Sequence, residues 1–401
     1  MALTFPSVEP PALPAAEARL GDRALFPDLE CAAYVSHAAI SPHSVPVQAA
    51  VAAAQSDYGR RGVAAFMTWH AQRRRLKGRL AGLMNIEADD LGLVLNTTAG
   101  VVAIAMCFPW SAGDRVVLFE GDFPTNITPW QRAAEVFGLR LEFLPIADLA
   151  RPGGADLTRL EAQLRAGVRL VALSAVQFQT GLRLDTGAIA ALCHRYDAEV
   201  FVDAIQAVGA TPFDASPVDY AAGGGHKWLM GPEGAGWLYV APERAGALRP
   251  NLAGWLSHER AADFLFDGAG LLRYDKPLRA SADVFESGAP NTIGYAGLEA
   301  AVALIEQLGP TAIHAHVNRY FDRLEPSLQA LGYESLRAAD AVRRSTILSF
   351  RPPAEVDFAA LSRNLAAQGV VATTPDGLLR FAPHWPNAPG EVETVAAALV
   401  R

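Results

Sequence analysis

Short apolar runs without polar alternation recur along the first three hundred residues. They fall at Leu91–Leu95, Arg115–Phe119, Arg140–Leu144, Val168–Leu173, Glu199–Asp203 and Gly236–Val240. Ala-rich stretches with helical spacing lie between them, at 127–137, 155–166 and 186–196. Non-alternating strands separated by helices predict a mostly parallel sheet covered on both faces. From about residue 295 the pattern changes. A long Ala/Leu-rich helical stretch (295–331) precedes short strands at Thr346–Phe350, Val370–Thr373 and Leu378–Phe381, then a closing helix at 390–400. That texture predicts a second, smaller α+β domain. Residues 91–113 carry no charge, a length that could span a bilayer. Asn96-Thr97-Thr98, Gly92, Gly100 and Pro109 interrupt the segment, so it reads as a buried strand, a turn and a buried helix.

Composition narrows the function. The 401 residues are 51% hydrophobic and 19% charged, enough for two or three domains with a large core and incompatible with whole-chain disorder. A formal net charge of −8 argues against nucleic acid or an anionic membrane as partner. Cys31, Cys107 and Cys193 are odd in number and widely spaced, so neither a disulfide framework nor a zinc site is expected, and a reducing cytoplasm is. The stretch Met1–Pro6 has no basic-then-apolar pattern, and no secretory signal is expected from it. Neither GxGxxG after an early strand, nor GxxxxGK[ST], nor HExxH occurs, which leaves nicotinamide, ATP and metal chemistry without a motif.

In an open parallel sheet, ligands gather beyond the carboxyl ends of the strands. Asp203 closes an apolar strand, where it reads either as a helix cap or as the partner of a cationic group. Lys227 follows Gly223-Gly224-Gly225-His226 and precedes Trp228-Leu229-Met230. It is either a surface-loop lysine or an amine whose pKa an apolar pocket lowers, ready to form a Schiff base. Asn96-Thr97-Thr98-Ala99-Gly100 opens a helical stretch, as an ordinary cap or as a phosphate turn.

Taken in order, these residues resemble the pyridoxal-phosphate (PLP) site of the class V aminotransferases, a family that also holds cysteine desulfurases, selenocysteine lyases, isopenicillin N epimerase-like proteins and kynureninases. The resemblance is carried by Phe201-Val202-Asp203-Ala204-Ile205-Gln206 and Gly225-His226-Lys227-Trp228-Leu229-Met230-Gly231-Pro232. Thr97-Thr98, Asp122-Phe123-Pro124-Thr125-Asn126, Gly254-Trp255, Phe285–Asn291 and Leu379-Arg380-Phe381 match in the same order. It implies the α/β PLP-dependent transferase fold of type I. The large PLP-binding domain would have a seven-stranded, mostly parallel sheet over 31–294. A small C-terminal domain would cover 295–401, with an N-terminal arm (1–30) packed on it. It also implies a homodimer with the active site at the subunit interface.

The implied roles follow residue by residue. Lys227 would hold PLP and shuttle protons, and Asp203 would keep the pyridine nitrogen protonated. Gln206 would donate to the ring's phenolic oxygen, and Phe123 would stack on the ring. Thr97, Thr98 and His226 would bind the phosphate, and the segment with Ala289 would reach the neighbour's phosphate. Arg380 would clamp the substrate carboxylate, although alone it reads as an exposed strand arginine. His37 resembles a pocket-lining residue and otherwise reads as a plain loop histidine. Trp255 is a pocket wall or buried core. Two positions depart from the family: Gly224 replaces a common serine and Ala289 a common threonine. The stretch Gln368–Gly377 lacks the thiol that desulfurases need there, Phe123 replaces their histidine, and His226 replaces the tyrosine of kynureninases. The expected enzyme is an aminotransferase acting through an external aldimine on a small-molecule amino acid. A cysteine-conjugate or selenocysteine-type lyase, or an epimerase, is the alternative.

Overall fold

Uncharged β-branched runs form strands wherever both faces can be covered, and here they assemble into one sheet. The computed structural model describes residues 9–151 and 154–399. The large sheet contains β1 (Leu91–Val94), β2 (Arg115–Glu120), β3 (Arg140–Pro145), β4 (Leu170–Ser174), β5 (Glu199–Asp203), β6 (Tyr220–Gly224) and β7 (Gly236–Val240). Its order is β1-β7-β6-β5-β4-β2-β3. Strands β2 to β6 run parallel, whereas β7 is antiparallel to both β6 and β1. Alternate residues of β4 and β5 serve two cores. Val171, Leu173, Val200 and Val202 face one, while Leu170, Ala172 and Phe201 face the other.

The helices of seven or more residues are α1 (Val45–Arg61), α2 (Phe66–Met84), α3 (Thr97–Cys107), α4 (Thr128–Phe137), α5 (Thr158–Arg165), α6 (Thr186–His194), α7 (Thr292–Leu308), α8 (Pro310–Ala330), α9 (Phe358–Ala367) and α10 (Glu391–Ala397). The stretch expected as one helix over 295–331 is two, because Gly309 takes φ +78° and Pro310 starts the next helix. A proline cannot donate the backbone hydrogen bond that would continue α7. Helix α7 packs chiefly on α1 and α2.

A three-stranded antiparallel sheet follows, with β9 (Leu348–Arg351) between β8 (Glu334–Ser335) and β10 (Leu379–Phe381). Ala33–Tyr34 pairs in parallel with Val370–Val371. The first eight residues of the expected N-terminal arm lie outside the described residues. The rest of it touches both halves of the molecule. Arg75 of α2 donates to the Pro11 carbonyl, Ala18 donates to Gln307 of α7, and Gly21 donates to the Trp385 carbonyl.

Candidate active site

Parallel pairing sets Ser174, Asp203 and Ala222 side by side at the carboxyl edge of β4, β5 and β6. Asp203 is 3% exposed, and among the described residues its carboxylate accepts one hydrogen bond, from the Ile205 N–H at 3.0 Å. Burial pushes its carboxyl up to about 7; the nearby Asp122 raises it further and Lys227 opposes the shift. Asp122 is a half-buried carboxyl group whose pKa burial raises. It accepts from Ser174 Oγ at 2.6 Å, from the Phe123 N–H at 3.0 Å and from Asn126 Nδ2 at 3.0 Å. The side chain that fixes the start of the Phe123 segment thus stands next to the strand-end carboxylate.

After β6 the chain makes the turn that carries Lys227, then returns as β7. Glycine is required at position 225, where a Cβ would lie 2.6 Å from the Ala235 carbonyl and 2.9 Å from Leu298. The sequence has three lysines. Lys77 is paired with Asp283 and Glu286, and Lys276 with Asp263 and the Arg260 carbonyl. The Lys227 side-chain amine has neither ion pair nor hydrogen bond among the described residues. Its Nζ lies 5.4 Å from the centroid of the Phe123 ring. Burial brings its pKa down to about 8; Asp203 resists the shift and the Arg380 guanidinium assists it. A lysine tuned in this way is nucleophilic near neutral pH.

Helix α3 begins against the same edge. Asn96 caps it by accepting the Ala99 N–H at 2.9 Å. A Cβ on Gly236 of β7 would lie 2.9 Å from the Asn96 Cα, which shows how closely the cap approaches the sheet. Thr97 is 4% exposed, and its hydroxyl is buried without a partner among the described residues. An orphaned hydroxyl beside the free N–H groups of a helix start suits a phosphate oxygen. Thr98 is exposed and shares a hydrogen bond with Thr125 at 2.9 Å. The half-buried His226 ring comes within 3.1 Å of the place a Gly224 Cβ would take, so the space of a side chain at 224 is filled by imidazole. Burial and Lys227 lower its pKa.

Arg380, in β10, is 5% exposed and has no carboxylate partner among the described residues. Its Nη1 donates to the Phe178 carbonyl at 2.8 Å and its Nε to Thr373 Oγ1 at 3.2 Å. Burial lowers its pKa to about 10, as an unpaired buried cation requires. The arrangement brings together a half-buried amine, a buried carboxylate, an unpartnered hydroxyl at a helix start, and an unpaired guanidinium. Together they fit a flat phosphorylated aldehyde with a basic ring nitrogen, accompanied by a carboxylate-bearing substrate.

The other expected residues make contacts of their own. Gln206 donates to the Ala38 carbonyl at 3.1 Å and accepts from the Trp228 indole at 2.8 Å, bridging the 37–41 loop and the lysine turn. His37, expected at the pocket wall, is 1% exposed. Its ring hydrogen-bonds Ser41 at 2.7 Å and packs edge-on against Tyr34 and His384. Ser41 Oγ in turn donates to the Lys227 carbonyl at 2.6 Å, so this loop supports the lysine from behind. Trp255 is half-exposed and edge-on to Phe264. Ala289 lines a cavity of about 690 Å³ with Leu95, Ala99, Leu252 and Tyr295. Asp122, Ser41, Trp228 and Phe178 escaped the sequence reading as site residues. For Asp122 a signal existed, since it stands at the end of β2, directly before Phe123.

Cysteine placement bears on the chemistry. Cys107 and Cys193 are buried, and burial pushes the Cys193 thiol up to about 12. Cys31 is half-buried with a raised pKa. Its neighbour Ala33 pairs with Val370, which puts Cys31 by Gly369, at the opposite end of that segment from the 373–377 loop.

A family model described as Aminotransferase class-V matches residues 46–378. A cysteine desulfurase of Dickeya dadantii (strain 3937) is 33% identical over 268 residues, 66% of this chain and 61% of that protein. The match therefore spans about three fifths of that relative's length. An isopenicillin N epimerase of Amycolatopsis lactamdurans is 28% identical over 367 residues, 88% of this chain and 89% of that protein. Among solved structures, the cystine C–S lyase C-DES in complex with its reaction product cysteine persulfide superposes with a TM-score of 0.84 at 26% identity. That match covers 93% of this chain and 98% of that one.

Proposed function

The chain belongs to the class-V aminotransferase family, and from that premise we propose that it is a PLP-dependent C–S lyase, cleaving the Cβ–S bond of an S-substituted cysteine or cystine. The observation that carries the proposal is the unpaired Arg380 beside a loop, 373–377, that holds no thiol. A desulfurase that stores sulfur on its own cysteine needs a thiol there; a lyase that releases its sulfur product to solution does not. The full-length likeness to a C–S lyase supports this reading over the transamination expected from the sequence.

When bound, PLP supplies an electron sink for negative charge at the substrate α-carbon. Thr97, Thr98 and His226 would hold its phosphate, Phe123 its ring and Asp203 its ring nitrogen. Gln206 has one amide N–H left for the phenolic oxygen. Arg380 takes the substrate carboxylate through paired N–H donors. Lys227 Nζ accepts the α-proton, a task suited to an amine lowered to about 8. The exposed Leu95, Leu252, Trp255 and Ile293 beside or near the Ala289 cavity support a homodimer with the site at its interface. No helix among the described residues is long and apolar enough to cross a membrane.

The test is pyruvate release from cystine by the Cys31→Ala/Cys107→Ala/Cys193→Ala variant. Undiminished pyruvate release, with a persulfide product in solution, is expected. Loss of turnover in a folded, PLP-loaded variant would overturn the thiol-independent lyase.

A further inference from the structure

The lyase reading leaves open what selects the substrate side chain. Two features of the site's mouth remain unused. One is the ring of Phe178, in the loop after β4; it meets the Phe123 ring edge-on, with centroids 5.1 Å apart. The other is the hydrogen bonding that holds that loop. Gln177 is 3% exposed, and its side-chain oxygen accepts from the N–H groups of Gln179 at 2.8 Å and Thr180 at 2.6 Å. Its amide nitrogen donates to the Gly121 carbonyl at 2.9 Å, on the Phe123 segment. The Phe178 carbonyl accepts Arg380 Nη1. Gln179 reaches Asp376 on the facing loop at 3.1 Å, and its carbonyl accepts the Ser349 hydroxyl.

Phe178 is thus fixed on several sides. Its backbone touches the guanidinium assigned to the substrate carboxylate. Its ring touches Phe123, which lies 5.4 Å from Lys227 Nζ. A side chain projecting from an α-carbon held between Lys227 and Arg380 has this aromatic edge close by. Neither ring carries charge, and aromatic rings make favourable contacts with thioether and disulfide sulfur. A wall held by these bonds discriminates by shape as well as by polarity.

We propose that Phe178 is the specificity-determining residue of this site, selecting amino acids whose β-carbon bears a substituted sulfur over small or charged side chains. The proposal rests on the lyase reading for its choice of substrate class, but its own content is a binding preference, measurable apart from turnover.

Wild type, Phe178→Ala and Phe178→Leu, each loaded with PLP, are titrated with S-methyl-L-cysteine and with L-alanine. Binding is followed by the change in the visible band of the lysine-bound cofactor, and pyruvate is measured alongside. Wild type should bind S-methyl-L-cysteine about tenfold more tightly than L-alanine, combining one buried methylene with a sulfur–ring contact. Phe178→Ala should lose about fivefold of that advantage, with L-alanine changed by less than about twofold. Phe178→Leu keeps an apolar side chain of similar size without the ring, and should fall between the two. An advantage that survives both substitutions, or equal losses for the two amino acids, would overturn the assignment. If the preference follows Phe178 but wild type yields no pyruvate, the assignment stands and the lyase reading falls.

Discussion

Replacing Gly209 by alanine should loosen the lysine turn from behind. Gly209 has φ +113°, a conformation that L side chains rarely adopt, so the backbone alone costs about 1–2 kcal/mol. A Cβ built there lies 2.6 Å from the Trp228 carbonyl carbon, closer still to its oxygen, and 3.0 Å from the Leu229 nitrogen. These are backbone atoms one and two residues after Lys227, and they cannot rotate away as a side-chain tip could. Shifting them adds about 1–3 kcal/mol, as overpacking does in a filled interior. The same shift disturbs the bond between His384 Nε2 and the Trp228 carbonyl, now 2.8 Å. The expected total is about 3 kcal/mol of destabilisation together with weaker PLP uptake. Guanidinium unfolding followed by tryptophan fluorescence reads the first, and titration of the apoprotein with PLP reads the second. Gly78→Ala is the control. It lies inside α2, where an added Cβ meets nothing within 4 Å, and should stabilise by about 0.5–1 kcal/mol. A Gly209→Ala protein that unfolds at the wild-type midpoint and takes up PLP normally would refute the reasoning.

Borohydride trapping of PLP should label Lys227 alone of the three lysines, and the attachment rate should climb with pH through about 8; a rise continuing to pH 10 would contradict the lowered pKa. His384, buried and with its pKa lowered to about 4, favours the unfolded state's protonation first, so its contribution to stability is full above about pH 6.5 and lost as pH falls toward 4. Asp203, raised to about 7, acts in the opposite sense between 3.8 and 7. The comparison is therefore wild type against His384→Gln, whose unfolding midpoint should fall less between pH 7.5 and pH 5; equal falls would refute it. Trp228→Phe removes the indole N–H from Gln206 Oε1 and should cost about 1–3 kcal/mol in unfolding measurements with weaker PLP binding. An unchanged midpoint would count against that bridge.

Much of the scaffold was readable before folding. Glu199–Asp203 and Gly236–Val240 are strands at the boundaries their apolar runs suggest. Strand β6 was not readable, because Tyr-Ala-Ala-Gly-Gly has little intrinsic strand preference. It is a strand because its neighbours on both sides are, and its glycines admit the Trp237 ring at position 223. The break at Gly309-Pro310 had its dipeptide signal, but continuous Ala/Leu periodicity on both sides masked it. Asp203 and Lys227 stood out because strand ends and glycine turns are local features. The bonds joining Arg380 to Phe178, Ser41 to the Lys227 carbonyl and Asp122 to Ser174 connect distant parts of the chain. No local pattern records such pairs. His37 shows the converse: a motif position whose histidine supports the turn instead of facing a cavity.

The reversal of β7 has a consequence for the order in which this site is built. Because Gly224 pairs with Gly236, the lysine turn is the loop of a hairpin, closed by its immediate neighbours in the chain. Loops of this length close in well under a microsecond. Lys227 can therefore reach its station early, while Arg380 waits for β10 to dock against β9 and for the loop after β4 to meet it. The two halves of the site differ in contact range, and so in when they mature during synthesis. On the proposed roles, the amine's end of the site is closed by nearer neighbours in sequence than the guanidinium's end.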